Sequence, residues 1–147
     1  MIIAIDFDGT CVTHDFPRVG KEIGAPRVLR KLVENGHQLV LWTMRSDRAS
    51  GTVDKSITEA DYTIHPNYSN YLTQAVEWFK KHGIPLYGIQ SNPTQKQWTD
   101  SPKAYAHLYI DDSALGIPLK YESGESRPYV DWEEVEKLLI EARYIIE

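Results

Sequence analysis

Ile2-Ile3-Ala4-Ile5-Asp6-Phe7-Asp8-Gly9-Thr10 is the stretch on which the reading of this 147-residue chain turns. Its apolar opening is long enough for one strand buried on both faces, as in a parallel sheet. The strand then runs into two carboxylates, a glycine and a threonine. Acids at the tip of a buried strand are costly unless something neutralises them, and a bound cation is the simplest candidate.

Downstream, the pattern alternates. Cys11 to Gly24 reads as a loop or small hairpin. Pro26 suits the first turn of a helix, Ala25, Val28, Leu29, Leu32 and Val33 follow helical spacing, and Gly36 sits where a left-handed cap belongs. Gln38 to Thr43 is a second buried strand, and a helix between two buried strands is a parallel crossover unit. The stretch from Arg45 to Asn70 is polar and irregular, too long for an idle connection, and expected to cover a binding site. A second helix from Asn70 to His82 carries Leu72, Ala75, Val76 and Phe79 on one face. Leu86 to Ile89 and His107 to Ile110 are strands three and four, separated by a turn-rich loop over 91–102. The last helix starts at Trp132, with Asp131 and Glu134 as a capping box and Val135, Leu138, Leu139 and Ala142 as its apolar face. The expectation is one α/β domain over residues 1–147, a three-layer Rossmann-like parallel sheet.

Composition sets the bounds. Sixteen basic against 21 acidic residues give a formal charge of −5, which disfavours broad nucleic-acid binding. No apolar run is long enough to span a membrane, and Asp6 interrupts the first strand too early for a signal peptide. The lone cysteine, Cys11, cannot form an internal disulfide and fits a reducing compartment, so a cytoplasmic location is expected.

Ligand sites in open parallel sheets lie beyond the carboxyl ends of the strands. Here those ends carry Asp6 with Asp8, Thr43, and Asp111 with Asp112, and Lys103 lies just before the fourth strand. Converging carboxylates repel one another unless a hard divalent cation occupies the cluster, and oxygen-only ligands favour Mg²⁺. No His/Cys group has zinc spacing. Because neighbours on a strand face opposite ways, Asp111 and Asp112 are not expected to be equivalent. Asp112 is favoured for the metal and Asp111 for orienting Lys103 or a metal-bound water.

Asp6-Phe7-Asp8-Gly9-Thr10, Thr43 at a strand end, Lys103 and the Asp111-Asp112 pair resemble, in order and spacing, the four motifs of the haloacid dehalogenase-like phosphatase superfamily. Thr43-Met44-Arg45, and a lysine eight positions before the aspartate pair, are similar to the small capsule-biosynthesis-type phosphatases of that superfamily. The resemblance implies a Mg²⁺-dependent phosphatase that forms an aspartyl-phosphate on Asp6, with Asp8 as general acid and base. It implies Mg²⁺ held by the Asp6 carboxylate, the Asp8 carbonyl and one of Asp111 and Asp112. Thr43 and Lys103 would bind the phosphoryl oxygens, with Lys96 as the competitor for that lysine role. Arg45 is a candidate for binding a substrate anion. An acid at position 8 favours phosphate esters over carbon–halogen bonds.

Neither Cys11–Gly24 nor Arg45–Asn70 is long enough for the large cap domain that many family members use, so the site is expected to be open. A small phosphorylated substrate is expected, a sugar phosphate or nucleotide, with a second subunit as a possible lid in a homo-oligomer. Two other functions fit the same residues: a non-catalytic phospholigand-binding protein, and a phosphotransferase.

Overall fold

β1 (Ile2–Ile5) is paired on both edges, with β2 (Gln38–Leu41) and with β6 (Leu108–Ile110), and both pairings are parallel. The computed structural model that shows this describes residues 1–48 and 69–147. The register sets Ile5 opposite Leu41 on one side and Ile110 on the other. One more hydrogen bond continues each ladder, Trp42 N–H to the Ile5 carbonyl at 2.8 Å and Asp6 N–H to the Ile110 carbonyl at 3.0 Å. Asp6 is thereby fixed beside the residues that follow both neighbouring strands.

The fourth strand, β5 (Gly88–Ile89), pairs in parallel with β2, giving the order β5-β2-β1-β6. The chain therefore moves outward from β1 to β2 and β5, then returns to the far side of β1. The order reverses at the β1/β6 crevice, the place where an open α/β sheet binds ligands beyond its strand ends. Flanking helices complete an α/β, three-layer, Rossmann-like architecture, as the alternation of apolar segments predicts.

Helix α1 (Ala25–Glu34) opens at Pro26 and buries Ala25, Val28, Leu29 and Leu32. Helix α2 (Tyr71–Lys81) buries Ala75, Trp78 and Phe79, and Phe7 stacks edge-on against Trp78 at 5.6 Å between ring centroids. Ile3, Ile5, Phe7, Leu29, Leu32, Leu39, Leu41 and Phe79 are fully buried in one core. At roughly 1.5–3 kcal/mol each, their burial holds β1 in place, so the acids at its tip are presented from a rigid base.

Helix α3 (Trp132–Glu141) starts where the capping residue Asp131 predicts, and the Asp131 side chain accepts from the N–H groups of Glu133 and Glu134. Its buried face differs from the expected one. Trp132, Val135 and Leu139 face the core, while Leu138 is half exposed and Ala142 lies past the helix end in an exposed position. Trp132, the first residue of the helix, is held inward by its indole N–H, which reaches the Thr10 carbonyl at 2.7 Å and ties α3 to the loop after β1.

Two small antiparallel pairs are additions to the sequence reading. β3 (Asp47–Arg48) pairs with β4 (Ser69–Asn70), and β7 (Leu119–Lys120) with β8 (Tyr129–Val130). The first pair lies within the expected 45–70 loop; residues 49–68, most of that loop, lie outside the described residues. The second strand is also shorter than expected, ending at Leu41, which leaves Thr43 in the turn beyond it. Among the described residues no helix is long and apolar enough to cross a membrane.

Candidate active site

A cavity of about 320 Å³ opens at the carboxyl ends of β1 and β6, lined by Asp6, Asp8, Thr43, Asp111 and Asp112 together with His14, Phe16 and Arg127. The sheet register and the Phe7-to-Val12 turns bring these groups together from sequence separations above 100 residues. Thr10 fastens the two strand ends: its buried hydroxyl donates to Asp6 Oδ2 at 2.9 Å and accepts from the Asp112 N–H at 2.9 Å.

Gly9 admits no side chain. Its φ is +79°, in the left-handed region, and a Cβ there would run into the ends of the His14 and Asp112 side chains. The glycine is needed both for the turn and for the seat of the imidazole above it.

Asp6, Asp111 and Asp112 each offer a carboxylate oxygen, all within 4.8 Å of one another. Burial pushes the Asp6 carboxyl up to about 8; the Asp111 charge adds to the rise, and the Thr10 hydrogen bond opposes it. Three part-buried carboxylates this close repel unless a cation lies among them. The donor set is oxygen only, which suits Mg²⁺. The residues therefore fit the divalent ion implied by their pattern.

The expected inequivalence of Asp111 and Asp112 rested on strand alternation, and the strand stops at Ile110. Both residues lie in a turn, where Asp111 accepts from the Ser113 N–H at 2.8 Å, and both face the cavity. Asp112 has a partner of its own: His14 Nε2 donates to its Oδ2 at 2.8 Å. Its Oδ1, which the Thr10 hydroxyl approaches at 3.4 Å, and the second oxygen of Asp111 are the ones turned to a cation.

Arg45 is placed differently from the substrate-binding role expected of it. Its side chain is 1% exposed, and it grips Asp8 with both arms of the guanidinium, Nε to Oδ2 and Nη2 to Oδ1, each at 2.8 Å. Its remaining donors reach the carbonyls of Arg18, Tyr71 and Pro17, and Phe7 and Phe16 lie against its plane. A guanidinium this fully engaged positions Asp8 and has no arm left for a substrate. With its carboxylate turned to Arg45, Asp8 has only its main-chain carbonyl for a cation.

Thr43 lines this cavity and a second one of about 300 Å³ on the other side of Met44, which Asp6, Trp42, Gln90 and Asp111 also line. Its hydroxyl accepts from the Arg45 N–H at 3.1 Å. The turn is held by Gln90, itself left-handed at φ +59°. The Gln90 amide accepts from the Thr43 N–H and donates to the Thr43 and Arg45 carbonyls at 2.6 and 2.9 Å.

Lys103 does not line either cavity. Its ammonium lies 5.1 Å from the centre of the Tyr109 ring, and the side chain is exposed. A long lysine stem settles on an aromatic face when no anion holds its charge. Lys96, the competitor, is likewise exposed and outside the cavities. Arg127 is the cationic side chain that faces the main cavity with its donors available among the described residues. Cys11 is fully buried, its thiol pushed well above the usual range by burial, and its Sγ–H donates to the Asp6 carbonyl.

Sequence reasoning missed His14, Phe16, Gln90 and Arg127. His14, Phe16 and Arg127 reach the site from loops with no spacing signal, whereas Gln90 directly follows β5, the strand-end position that also marks Asp6 and Asp111.

No protein-family model and no curated protein matches this chain. A solved structure does: a conserved protein coded by a locus of Bacteroides thetaiotaomicron is 30% identical, with a TM-score of 0.67. The similarity covers 97% of this chain and 91% of that one, and the chain belongs to the same family as that conserved Bacteroides protein.

Proposed function

We propose that the protein is a cytoplasmic Mg²⁺-dependent phosphatase acting on phosphate monoesters, with Asp6 as nucleophile. The observation that carries this reading is the placement of Asp6 within reach of Asp111 and Asp112 at the β1/β6 switch point, fastened there by Thr10. The resemblance of these residues to the haloacid dehalogenase-like phosphatases supports it.

An Asp6 carboxylate oxygen attacks phosphorus as the ester P–O bond breaks, leaving an aspartyl-phosphate and an alcohol. Asp8 gives the departing oxygen its proton and then takes one from the water that hydrolyses the acyl phosphate. Both Asp8 oxygens are bonded to Arg45, so the proton-transfer role requires one of those bonds to open to a proton while the other keeps the carboxylate in place. The Thr43 hydroxyl, which lines the cavity, donates to a phosphoryl oxygen in this reading. Mg²⁺ would be held by the Asp6 carboxylate, the Asp8 carbonyl and the carboxylates of Asp111 and Asp112, and would supply the positive charge that lets an anion approach a dianion.

One observation favours the non-catalytic alternative: Lys103 is outside the cavity, so among the described residues no lysine lines it. Phosphate release from a panel of monoesters that includes p-nitrophenyl phosphate separates the two. Turnover is expected with Mg²⁺ and is lost in excess chelator. No release from any ester in the presence of Mg²⁺ sinks the enzyme reading.

A further inference from the structure

Phe16, Met44 and Arg127 also line the main cavity, and none of them has a role in the chemistry above. Met44 is 97% exposed and offers an apolar side chain to whatever enters the cavity. Phe16 is 40% exposed, yet its ring is pinned edge-on to Tyr71 at 5.1 Å and against the Arg45 guanidinium at 5.2 Å. It is a pre-formed apolar wall that costs little further ordering when covered.

Arg127 reaches the same space from the turn before β8. Among the described residues its acidic partner is Asp112 Oδ2 at 3.8 Å, beyond hydrogen-bond range, and that oxygen already accepts from His14 at 2.8 Å. The other guanidinium of the cavity, Arg45, is buried and fully engaged. Four carboxylates face this cavity, so a second negative charge on a substrate enters only where a cation receives it.

We infer that Arg127, with Phe16 and Met44, forms a leaving-group subsite for phosphate monoesters whose alcohol carries a flat or apolar ring and a second anionic group. This rests on the phosphatase reading above. The phosphoryl group sits at Asp6, the ring lies between Phe16 and Met44, and the second anion meets the planar fork of Arg127, which matches a carboxylate or phosphate in two parallel bonds. The space suffices: about 320 Å³ is within the range of small-molecule sites.

The test compares kcat/KM for 4-carboxyphenyl phosphate and for phenyl phosphate, which differ only in the second anion. The wild type is expected to prefer the carboxylate, and R127A to lower that preference ratio tenfold or more, mainly through KM. R127K, which keeps the charge, retains part of the preference. R127E is expected to turn the preference toward 4-(aminomethyl)phenyl phosphate, whose ring carries a cation. A ratio that moves less than tenfold in R127A overturns the subsite, including the case where both substrates lose rate in parallel because Arg127 holds the transferring phosphoryl. Wild-type protein inactive on every ester would instead remove the phosphatase reading itself, so the two failures are distinguishable.

Discussion

Asp6→Asn will lower Mg²⁺-dependent phosphate release on the order of 10⁴-fold or more, the scale seen when a covalent nucleophile is removed. Asparagine keeps the shape and can still accept from Thr10, so the loss reports the missing carboxylate. The same substitution is expected to stabilise the metal-free fold. Burial and the Asp111 charge raise the Asp6 carboxyl from 3.8 to about 8, so ionising it in the folded state is unfavourable. The sign follows from linkage: the destabilisation is absent below pH 3.8, grows as pH rises, and is complete above about 8. In chelator, the melting temperature of Asp6→Asn should therefore exceed that of wild type at neutral pH, and the gap should close toward pH 4. Adding Mg²⁺ should raise the wild type and leave the variant nearly unmoved. A variant that is less stable than wild type in chelator would contradict this account of the cluster.

Arg45→Met will be the most destabilising of the site substitutions, by about 3–5 kcal/mol, because removing one partner of a buried pair strands the other. Methionine fills much of the volume against Phe7 and Phe16 but offers no donor. Asp8 loses both of its 2.8 Å bonds, and the carbonyls of Arg18, Tyr71 and Pro17 lose a donor as well. Adding Asp8→Asn to Arg45→Met should recover part of the stability, since the stranded charge is then gone. Chemical denaturation of the two single variants and the double variant measures this coupling. Additive losses would mean that Arg45 acts through packing alone.

The sheet was legible because burial on both faces leaves a plain signature. Ile2 to Ile5 and Leu39 to Leu41 are continuous apolar runs, and strands so buried pair in parallel. Asp131 marked the start of α3 because a side-chain cap is a local device. The acids were legible for the same reason: they directly follow strands, and the ladder that sets Ile5 against Ile110 also sets Asp6 beside Asp111.

What stayed hidden depends on contacts between distant loops. A buried arginine and an exposed one look alike in a sequence, so Arg45 was read as a substrate ligand when the structure sets it on Asp8. His14 and Arg127 reach Asp112 across 98 and 15 positions. No period or spacing encodes either contact. The two short antiparallel pairs, β3 with β4 and β7 with β8, have only two residues per strand, too few for alternation to show.

Covalent capture tests the central claim most directly. Wild-type protein mixed with a turned-over phosphate ester and Mg²⁺, quenched in acid and read by peptide mass spectrometry, should carry one added phosphoryl group on the peptide containing Asp6. Hydroxylamine should cleave that group, as it cleaves acyl phosphates, and Asp6→Asn should not acquire it. Steady turnover with the label on another residue, or with no label on the enzyme at all, would contradict Asp6 as the nucleophile.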